Sequence, residues 1–230
     1  MSRVEQQLGF ILKSQAFKET SLIHQVFTKH EGIVSILSRG SKAKNSKHGS
    51  LLQAFRLLSL SWVGKNDLKT LTGVDESLNI KQLHGASLYC GFYVNELVLN
   101  FLHKHDPHPV LFEAFEDIII KLSSVSYLEA HLRQFEKILF EQIGYGLVLD
   151  VDIENNVPIN ADQSYFYDPG QGPRLESNHH PDAVLGSTLI NLNNNALTDK
   201  TELKQAKRLM RRLIDHQLDG KMLKSRDLFI

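Results

Sequence analysis

The chain has 230 residues, of which 42% are hydrophobic and 23% are charged, and its formal net charge at pH 7 is zero. This composition is typical of a globular protein with one large domain or two modest ones. No apolar run reaches about 18 residues, so no transmembrane helix is indicated, and the first residues lack the pattern of a secretory signal. A single cysteine, Cys90, excludes an intrachain disulfide and a CxxC metal motif. We therefore expect a cytoplasmic protein.

The zero net charge hides an uneven distribution along the chain. Residues 1–81 carry 12 Lys and Arg against 6 Asp and Glu, residues 82–200 carry 6 against 16, and residues 201–230 carry 8 against 4. Basic ends can present positive surfaces to a polyanion. The alternative, which charge alone leaves equally open, is that the acidic middle neutralises the basic ends within one fold.

The first eighty residues predict a small β-barrel. The segment 41–50 has no large apolar side chain and is predicted to be an exposed loop. Five short strands in so little chain favour the OB-fold, although a generic small barrel or an SH3-like module fits the pattern equally. The predicted strands cover residues 8–13, 21–28, 32–40, 51–64 and 68–75.

From about Leu83 the apolar period becomes helical. The last helix is predicted to begin after Asp199, with Glu202 three residues later, and to end before Gly220. The region 150–185 is acidic, holds four of the six prolines and is predicted to be irregular. The predicted helices cover residues 85–105, 110–125, 127–144, 186–194 and 201–218.

These patterns predict an α+β fold in three parts. Residues 1–80 form a small β-barrel, residues 81–149 form a helical-bundle domain, and residues 150–230 form a small irregular C-terminal subregion with a last helix.

The sequence shows no catalytic motif. It has no phosphate-binding GxxxxGK[ST] loop, no HExxH and no GxSxG, so we predict that the protein is not an enzyme and uses no cofactor. Two clusters, one of His103, His105, Asp106 and His108 and one of His179, His180 and Asp182, match no metal-ligand spacing. We interpret them as polar groups at a helix end and in a loop, and we interpret Cys90 as a core residue.

The predicted barrel loop carries a cluster of cations that no acid interrupts. A flexible cationic loop can follow a phosphate backbone, so we favour DNA contact over a merely solvated loop. The aromatic residues available to stack bases are Phe10, Phe17, Phe27, Phe55 and Trp62, with Phe17 and Trp62 the first candidates. The cations of the loop are Arg39, Lys42, Lys44 and Lys47.

The last helix is also basic. Of its cations only Arg211 has an acid four residues later, Asp215, so the rest suit either phosphate contact or packing against the acidic middle of the chain. The DNA-contact candidates on this helix are Lys204, Arg208 and Arg211. In the third predicted helix, Arg133 and Lys137 lie one turn apart beside apolar residues and could dock an acidic peptide. The alternative is that Arg133 and Lys137 form salt bridges with Glu129 and Glu141, and pattern alone favours this alternative.

Four segments together resemble the RecO family of bacterial DNA repair and recombination mediators. The likeness runs from about Phe10 to Phe229. It is specific because the segments occur in a fixed order. They are AFKETSLIHQVFTKHEGIVSILSRGSK followed by LLQAF, SLYCGFYVNELVLNFL with DPHPVLFEAF, LRQFEKILFEQIGYGLVLD, and AKRLMRRLIDHQLDGKMLKSRDLF.

The resemblance implies that the barrel of residues 1–80 is an N-terminal OB-fold that binds nucleic acid, and that the C-terminal helix packs back on the helical domain. It also implies a function in the RecF pathway. Members bind single- and double-stranded DNA, anneal complementary strands and, with RecR and in some settings RecF, help to load RecA onto DNA coated by single-stranded-DNA-binding protein. It implies that the cationic barrel loop contacts DNA. It also reverses the preference at Arg133, which with Lys137 becomes a candidate anchor for the C-terminal tail of single-stranded-DNA-binding protein. A cytoplasmic, nucleoid-associated location follows from the same resemblance.

The chain departs from the family at one point. Many relatives carry a four-cysteine zinc site in the region that corresponds to 150–185, and this region has no cysteine here. We therefore predict no structural zinc. The rival hypotheses are a protein-interaction adaptor without direct DNA contact and a metal-dependent nuclease that uses the His and Asp clusters.

Overall fold

The computed structural model describes residues 3–43, 46, 48–124, 128–177 and 180–229. The chain divides into two compact units, one of residues 1–125 with 225–230 and one of residues 126–224. Within the described residues no helix is both long enough and apolar enough to cross a membrane.

The first unit contains a closed barrel of five strands in the order β1-β2-β3-β5-β4. Neighbouring strands are antiparallel except β3 and β5, which are parallel. This is the five-stranded Greek-key arrangement of the OB-fold, so the predicted α+β fold with an N-terminal OB barrel is confirmed. The strands are β1 Arg3–Phe17, β2 Ser21–Thr28, β3 Gly32–Ser38, β4 Leu57–Val63 and β5 Leu68–Leu78.

Alternating residues of these strands fill the inside of the barrel, as the period of two requires. Trp62 lies there and is only 2% exposed, so the prediction that it stacks bases is wrong: its ring belongs to the core. The residues of this core are Ile11, Val26, Val34, Ile36, Leu52, Leu58, Leu60, Trp62 and Val74.

Two helices, α1 (Gly85–Phe101) and α2 (Pro109–Ser124), pack on the outside of the barrel. The rings of Phe10 and Phe27 lie 5.0 to 5.7 Å, centroid to centroid, from those of Phe112 and Phe115. This aromatic packing holds α2 on the barrel, α1 packs on β1, and both helices group with the barrel. This grouping differs from the division at 80 and 149 that the sequence predicts.

Two predicted boundaries shift for local reasons. The strand predicted over 51–64 begins only at Leu57, because Phe55 has a left-handed backbone with φ of +66° that interrupts the extended chain. The helix predicted to reach residue 105 ends at Phe101, because Leu102 is extended and Lys104 pairs with Ile33 of β3.

The second unit combines three helices with short strands. The last helix, α5, buries the apolar face that its sequence predicts, including Leu209 and Leu213, and it packs on α3 and α4. Asp199 caps α5 by accepting hydrogen bonds from the backbone N–H groups of Thr201 and Glu202, at 2.7 and 3.1 Å, as predicted. The elements are α3 Leu128–Gln142, β6 Val151–Asp152, β7 Val157–Pro158, β8 Ser164–Asp168, β9 Gly172–Leu175, β10 Val184–Leu185, α4 Gly186–Asn193 and α5 Lys200–Gln217. The 3-10 helix that follows in the chain, Lys224–Phe229, groups from Ser225 onward with the first unit.

The region predicted to be irregular, 150–185, is tied together by one buried carboxylate. Asp152 is 1% exposed and accepts hydrogen bonds from the backbone N–H groups of Glu154, Asn155 and Leu175 and from the Asn155 amide. Burial acts to raise the pKa of Asp152, but these hydrogen bonds outweigh it and hold the pKa below its ordinary value. The ionised carboxylate therefore fixes the turn after β6 to the end of β9.

Candidate nucleic-acid interface

The connection between β3 and β4 carries the cations that the sequence assigns to DNA. Arg39 and Lys42 are both exposed, and no carboxylate of the described residues forms an ion pair with either. Lys44 and Lys47, the other two candidates of this loop, lie outside the described residues. The described part of the loop thus presents two charges that can meet an external anion.

This loop meets the tip of the β1–β2 hairpin. The backbone N–H of Lys42 donates to the carbonyl of Thr20 at 3.0 Å. The hairpin tip also holds exposed Lys18 and half-buried Phe17, and the Lys18 Nζ lies 5.6 Å from the centre of the Phe17 ring. We call the group of Phe17, Lys18, Arg39 and Lys42 the cationic corner. It combines cations with one aromatic side chain, as single-strand-binding surfaces do.

A chain of hydrogen bonds inside the barrel holds the base of this corner. The Nδ1 atom of His24 bonds the Ser14 hydroxyl and its Nε2 bonds the Ser38 hydroxyl, both at 2.8 Å. The Ser38 hydroxyl bonds that of Ser41 at 2.6 Å, and Ser41 begins the turn that contains Lys42. This series of hydrogen bonds therefore links β1, β2 and β3 to the loop, and it satisfies polar groups that would otherwise be buried without partners.

His24 is neutral in this position. It is 1% exposed, and burial lowers its pKa from 6.5 to about 4. It therefore adds no positive charge to the corner at neutral pH and acts by position. His24 is not among the site residues that the sequence predicts, although its place two residues before Val26, on the inward face of β2, is a signal.

Three of the six Lys and Arg residues of α5 are occupied by carboxylates. The Lys207 Nζ lies 2.6 Å from Glu129, and Arg208 and Arg212 lie 3.9 and 3.7 Å from Asp182. For these three residues the alternative of packing against the acidic middle segment holds.

Two further contacts strengthen this attachment. Arg208 donates to the carbonyl of Ala183 at 2.7 Å, and the guanidinium of Arg212 lies 4.5 Å from the centre of the Phe166 ring. Lys204 and Arg211 are exposed and form no ion pair with a carboxylate in the described part of the chain. Of the predicted DNA contacts on this helix, Lys204 and Arg211 are therefore available and Arg208 is shared with Asp182.

Arg133 and Lys137 have different surroundings. Arg133 is only 4% exposed and donates to Glu136 at 2.5 Å, while its Nε and Nη1 atoms find no hydrogen-bond partner among the described residues. The Lys137 Nζ donates to the backbone carbonyls of Leu192 and Asn193 at the end of α4. Burial lowers the pKa of Lys137, and Glu141 opposes this shift. Lys137 thus caps a helix, while Arg133 keeps two donors without a partner.

The His and Asp clusters form pairs. The His108 Nε2 lies 3.3 Å from Asp106, and the His105 Nε2 lies 3.7 Å from Asp67. The His180 ring contacts Phe166, with centroids 4.4 Å apart, and His179 lies outside the described residues. Across the described ranges, no three His, Cys, Asp or Glu side chains come together as metal ligands would. Cys90 is buried, which confirms its place in the core.

The fold and the corner define a class: an OB-fold barrel that carries exposed cations, followed by helices. Family models agree on the particular family. The model described as "Recombination protein O N terminal" matches residues 1–77, and the one described as "Recombination protein O C terminal" matches residues 83–227. The chain belongs to the RecO family.

Curated relatives match over nearly the whole chain. "DNA repair protein RecO" of Nitrosospira multiformis is 39% identical over 98% of this chain and 95% of its own length. The protein of the same name from Coxiella burnetii is 38% identical over 98% of both chains, and that of Methylococcus capsulatus is 36% identical over 99% of this chain and 94% of its own. The family resemblance that the sequence indicates is confirmed.

Proposed function

We propose that the protein acts in DNA repair through the RecF pathway by binding single- and double-stranded DNA at the cationic corner. The observation that carries this proposal is the pair Arg39 and Lys42. Both are exposed and free of carboxylates of the described chain, on a turn that the His24 hydrogen bonds hold. Each phosphate that a cation neutralises releases counterions, which favours binding.

The proposed mechanism of annealing is physical. Cations that contact two strands reduce their mutual repulsion and raise the local concentration at which bases pair. Lys204 and Arg211 supply a second pair of available cations. No bond is made or broken in this mechanism, so the proposal does not require a catalytic centre.

The test is fluorescence anisotropy of labelled single- and double-stranded oligonucleotides over a salt series. We expect affinity to fall linearly on a log–log plot, with a slope of about −0.7 per phosphate contact for single strands. Binding that is absent or independent of salt would favour the adaptor hypothesis. Cleavage of the oligonucleotide when magnesium, manganese or zinc is added would favour the nuclease hypothesis.

We further propose that the second unit binds the acidic C-terminal tail of single-stranded-DNA-binding protein at Arg133. A guanidinium can bind a carboxylate through two parallel hydrogen bonds, and Arg133 keeps two donors, Nε and Nη1, without partners among the described residues. Because these atoms are buried and the Nη2 atom pairs with Glu136, neighbouring side chains must move for the tail to reach them. Lys137 contributes less, because its amine already donates to two carbonyls. Tail capture would bring the protein to covered strands, where with RecR, and in some settings RecF, it would help to load RecA. This role places the protein in the cytoplasm at the nucleoid.

A tail peptide tests this second step. Arg133→Ala should weaken peptide binding in calorimetry more than Lys137→Ala does, while the thermal unfolding of both variants serves as the folding control. Equal binding by the Arg133→Ala variant and the original protein would remove Arg133 from the proposed site.

A further inference from the structure

A pair of aromatic side chains lies at the surface where α1 approaches the barrel. The rings of Phe55 and Phe92 meet edge to face, with centroids 5.3 Å apart and planes at 65°. Phe92 is 40% exposed, and Tyr89, one turn earlier on α1, is 38% exposed. Exposed aromatic residues in a group are a recognition feature rather than part of the core.

The Phe55 side of this pair is held in a demanding conformation. A bulky residue with φ of +66° is uncommon, and such strain persists only where the surroundings fix it. Gly91 provides the space, because a Cβ atom there would lie 2.8 Å from Cε1 of the Phe55 ring. The fold therefore places this ring against α1 although the backbone conformation is unfavourable.

Both flanks of the aromatic pair are attached to β1, the strand that leads to the cationic corner: Ala54, next to Phe55, pairs with Ile11. Asn95, three residues after Phe92 on α1, donates its amide to the Leu12 carbonyl of β1 at 3.0 Å. Beyond Leu12, alternate residues of β1 share one outward face; these are exposed Lys13, exposed Gln15 and Phe17 of the corner.

The charges along this route suit a polyanion. Lys13 is exposed and forms no ion pair with a carboxylate of the described residues. Two carboxylates near the pair in the chain are engaged: Glu76 lies 3.5 Å from Arg56, the residue after Phe55, and Glu96 accepts from the backbone N–H of Ser225 at 2.8 Å. Phe55 and the corner residues Arg39 and Lys42 also belong to one β3–β4 connection.

We propose that the Phe55–Phe92 pair is a base-stacking site for single-stranded DNA. The strand would run from this pair along the outward face of β1, past Lys13, to the cationic corner. The inference rests on the proposed function, because it extends the path of a strand whose phosphates the corner binds.

The experiment compares two ligands of equal length and charge, a 20-nucleotide oligothymidylate and an abasic deoxyribose-phosphate chain. Phe92→Leu keeps an apolar side chain but removes the ring, and Phe92→Tyr keeps the ring as the matched control. We expect Phe92→Leu to weaken binding of the thymidylate by roughly five-fold or more, as for the loss of one stacked base. Binding of the abasic chain and the slope against salt should stay unchanged, and Phe92→Tyr should bind both ligands like the original protein.

Lys42→Ala separates this inference from the proposed function. It should weaken binding of both ligands and reduce the slope against salt. If Lys42→Ala has this effect and Phe92→Leu changes neither ligand, the stacking site is overturned and the aromatic pair fits a protein partner instead. An equal loss of both ligands in Phe92→Leu also overturns it, since a stacking role requires bases. If neither variant changes binding, the DNA surface itself is wrong.

Discussion

The cationic corner of the barrel and the last helix, α5, are both rich in Lys and Arg, but they are held in opposite ways. Beneath the corner, a series of hydrogen bonds runs through buried, neutral His24. Arg39 and Lys42 lie above this series and form no ion pair within the described residues. On α5, cations themselves make the tertiary contacts, because Lys207 and Arg208 pair with Glu129 and Asp182. A Lys or Arg side chain can therefore stabilise the fold or remain available to a ligand, and the neighbouring sequence does not show which of the two it does.

The largest expected effect concerns acid and the buried support of the corner. Because the folded pKa of His24 is about 4 and its ordinary value is 6.5, the unfolded chain takes up a proton between these pH values and the folded chain does not. The free energy of unfolding should thus fall as the pH drops from 6.5 to 4. His24 alone should account for about 3 kcal/mol of this loss.

Chemical denaturation at several pH values measures this loss. His24→Gln supplies the control, because an amide can bond both serines but does not titrate. We expect this variant to lose less stability between pH 6.5 and 4 than the original protein. Parallel curves for the two proteins would show that His24 is not the residue responsible.

The next effect concerns DNA affinity at the corner. The double change Arg39→Ala with Lys42→Ala removes two phosphate contacts, so we expect roughly a ten-fold or greater loss of affinity near 0.1 M salt and a slope against salt smaller by about 1.4. Because both side chains are exposed, thermal unfolding should change little. Anisotropy and a melting curve together make the measurement, and an unchanged slope would contradict the assignment.

A smaller effect is expected from the available cations of α5. Lys204→Ala with Arg211→Ala should weaken DNA binding several-fold and slow annealing of complementary strands, as followed by energy transfer between labelled strands. The matched control is Lys207→Ala with Arg208→Ala, which removes the same charge from the same helix. If the control weakens DNA binding as much, general charge rather than available cations explains the effect.

The smallest effect concerns the ion pairs of α5. Lys207 and Glu129 are each about half exposed, and an exposed pair contributes about 0–1 kcal/mol. We expect Lys207→Ala to lower the free energy of unfolding by no more than this, and salt near 1 M to abolish the difference. A loss that persists at high salt would mean that the Lys207 stem stabilises α5 by packing instead.

Much of the fold could be predicted because its signals are local. Strand alternation and helical periodicity gave the barrel and the helices, and the cap at Asp199 follows from residues three positions apart. Trp62 shows where such signals stop: an aromatic residue beside a turn has the same pattern whether it points into the barrel or out of it. The predicted boundary near residue 51 failed because Phe55 adopts a backbone conformation that sequence rarely reveals.

By itself, the sequence determined the family, the α+β fold and the regions where positive charge gathers. Tertiary structure alone decided which of those charges are occupied, because the carboxylate that pairs with Lys207 is 78 residues away in the chain. It also decided that His24 is neutral and that Phe55 meets Phe92. The physical reason is common to all: burial, ion pairing and ring contact depend on distances between segments that only the folded chain brings together.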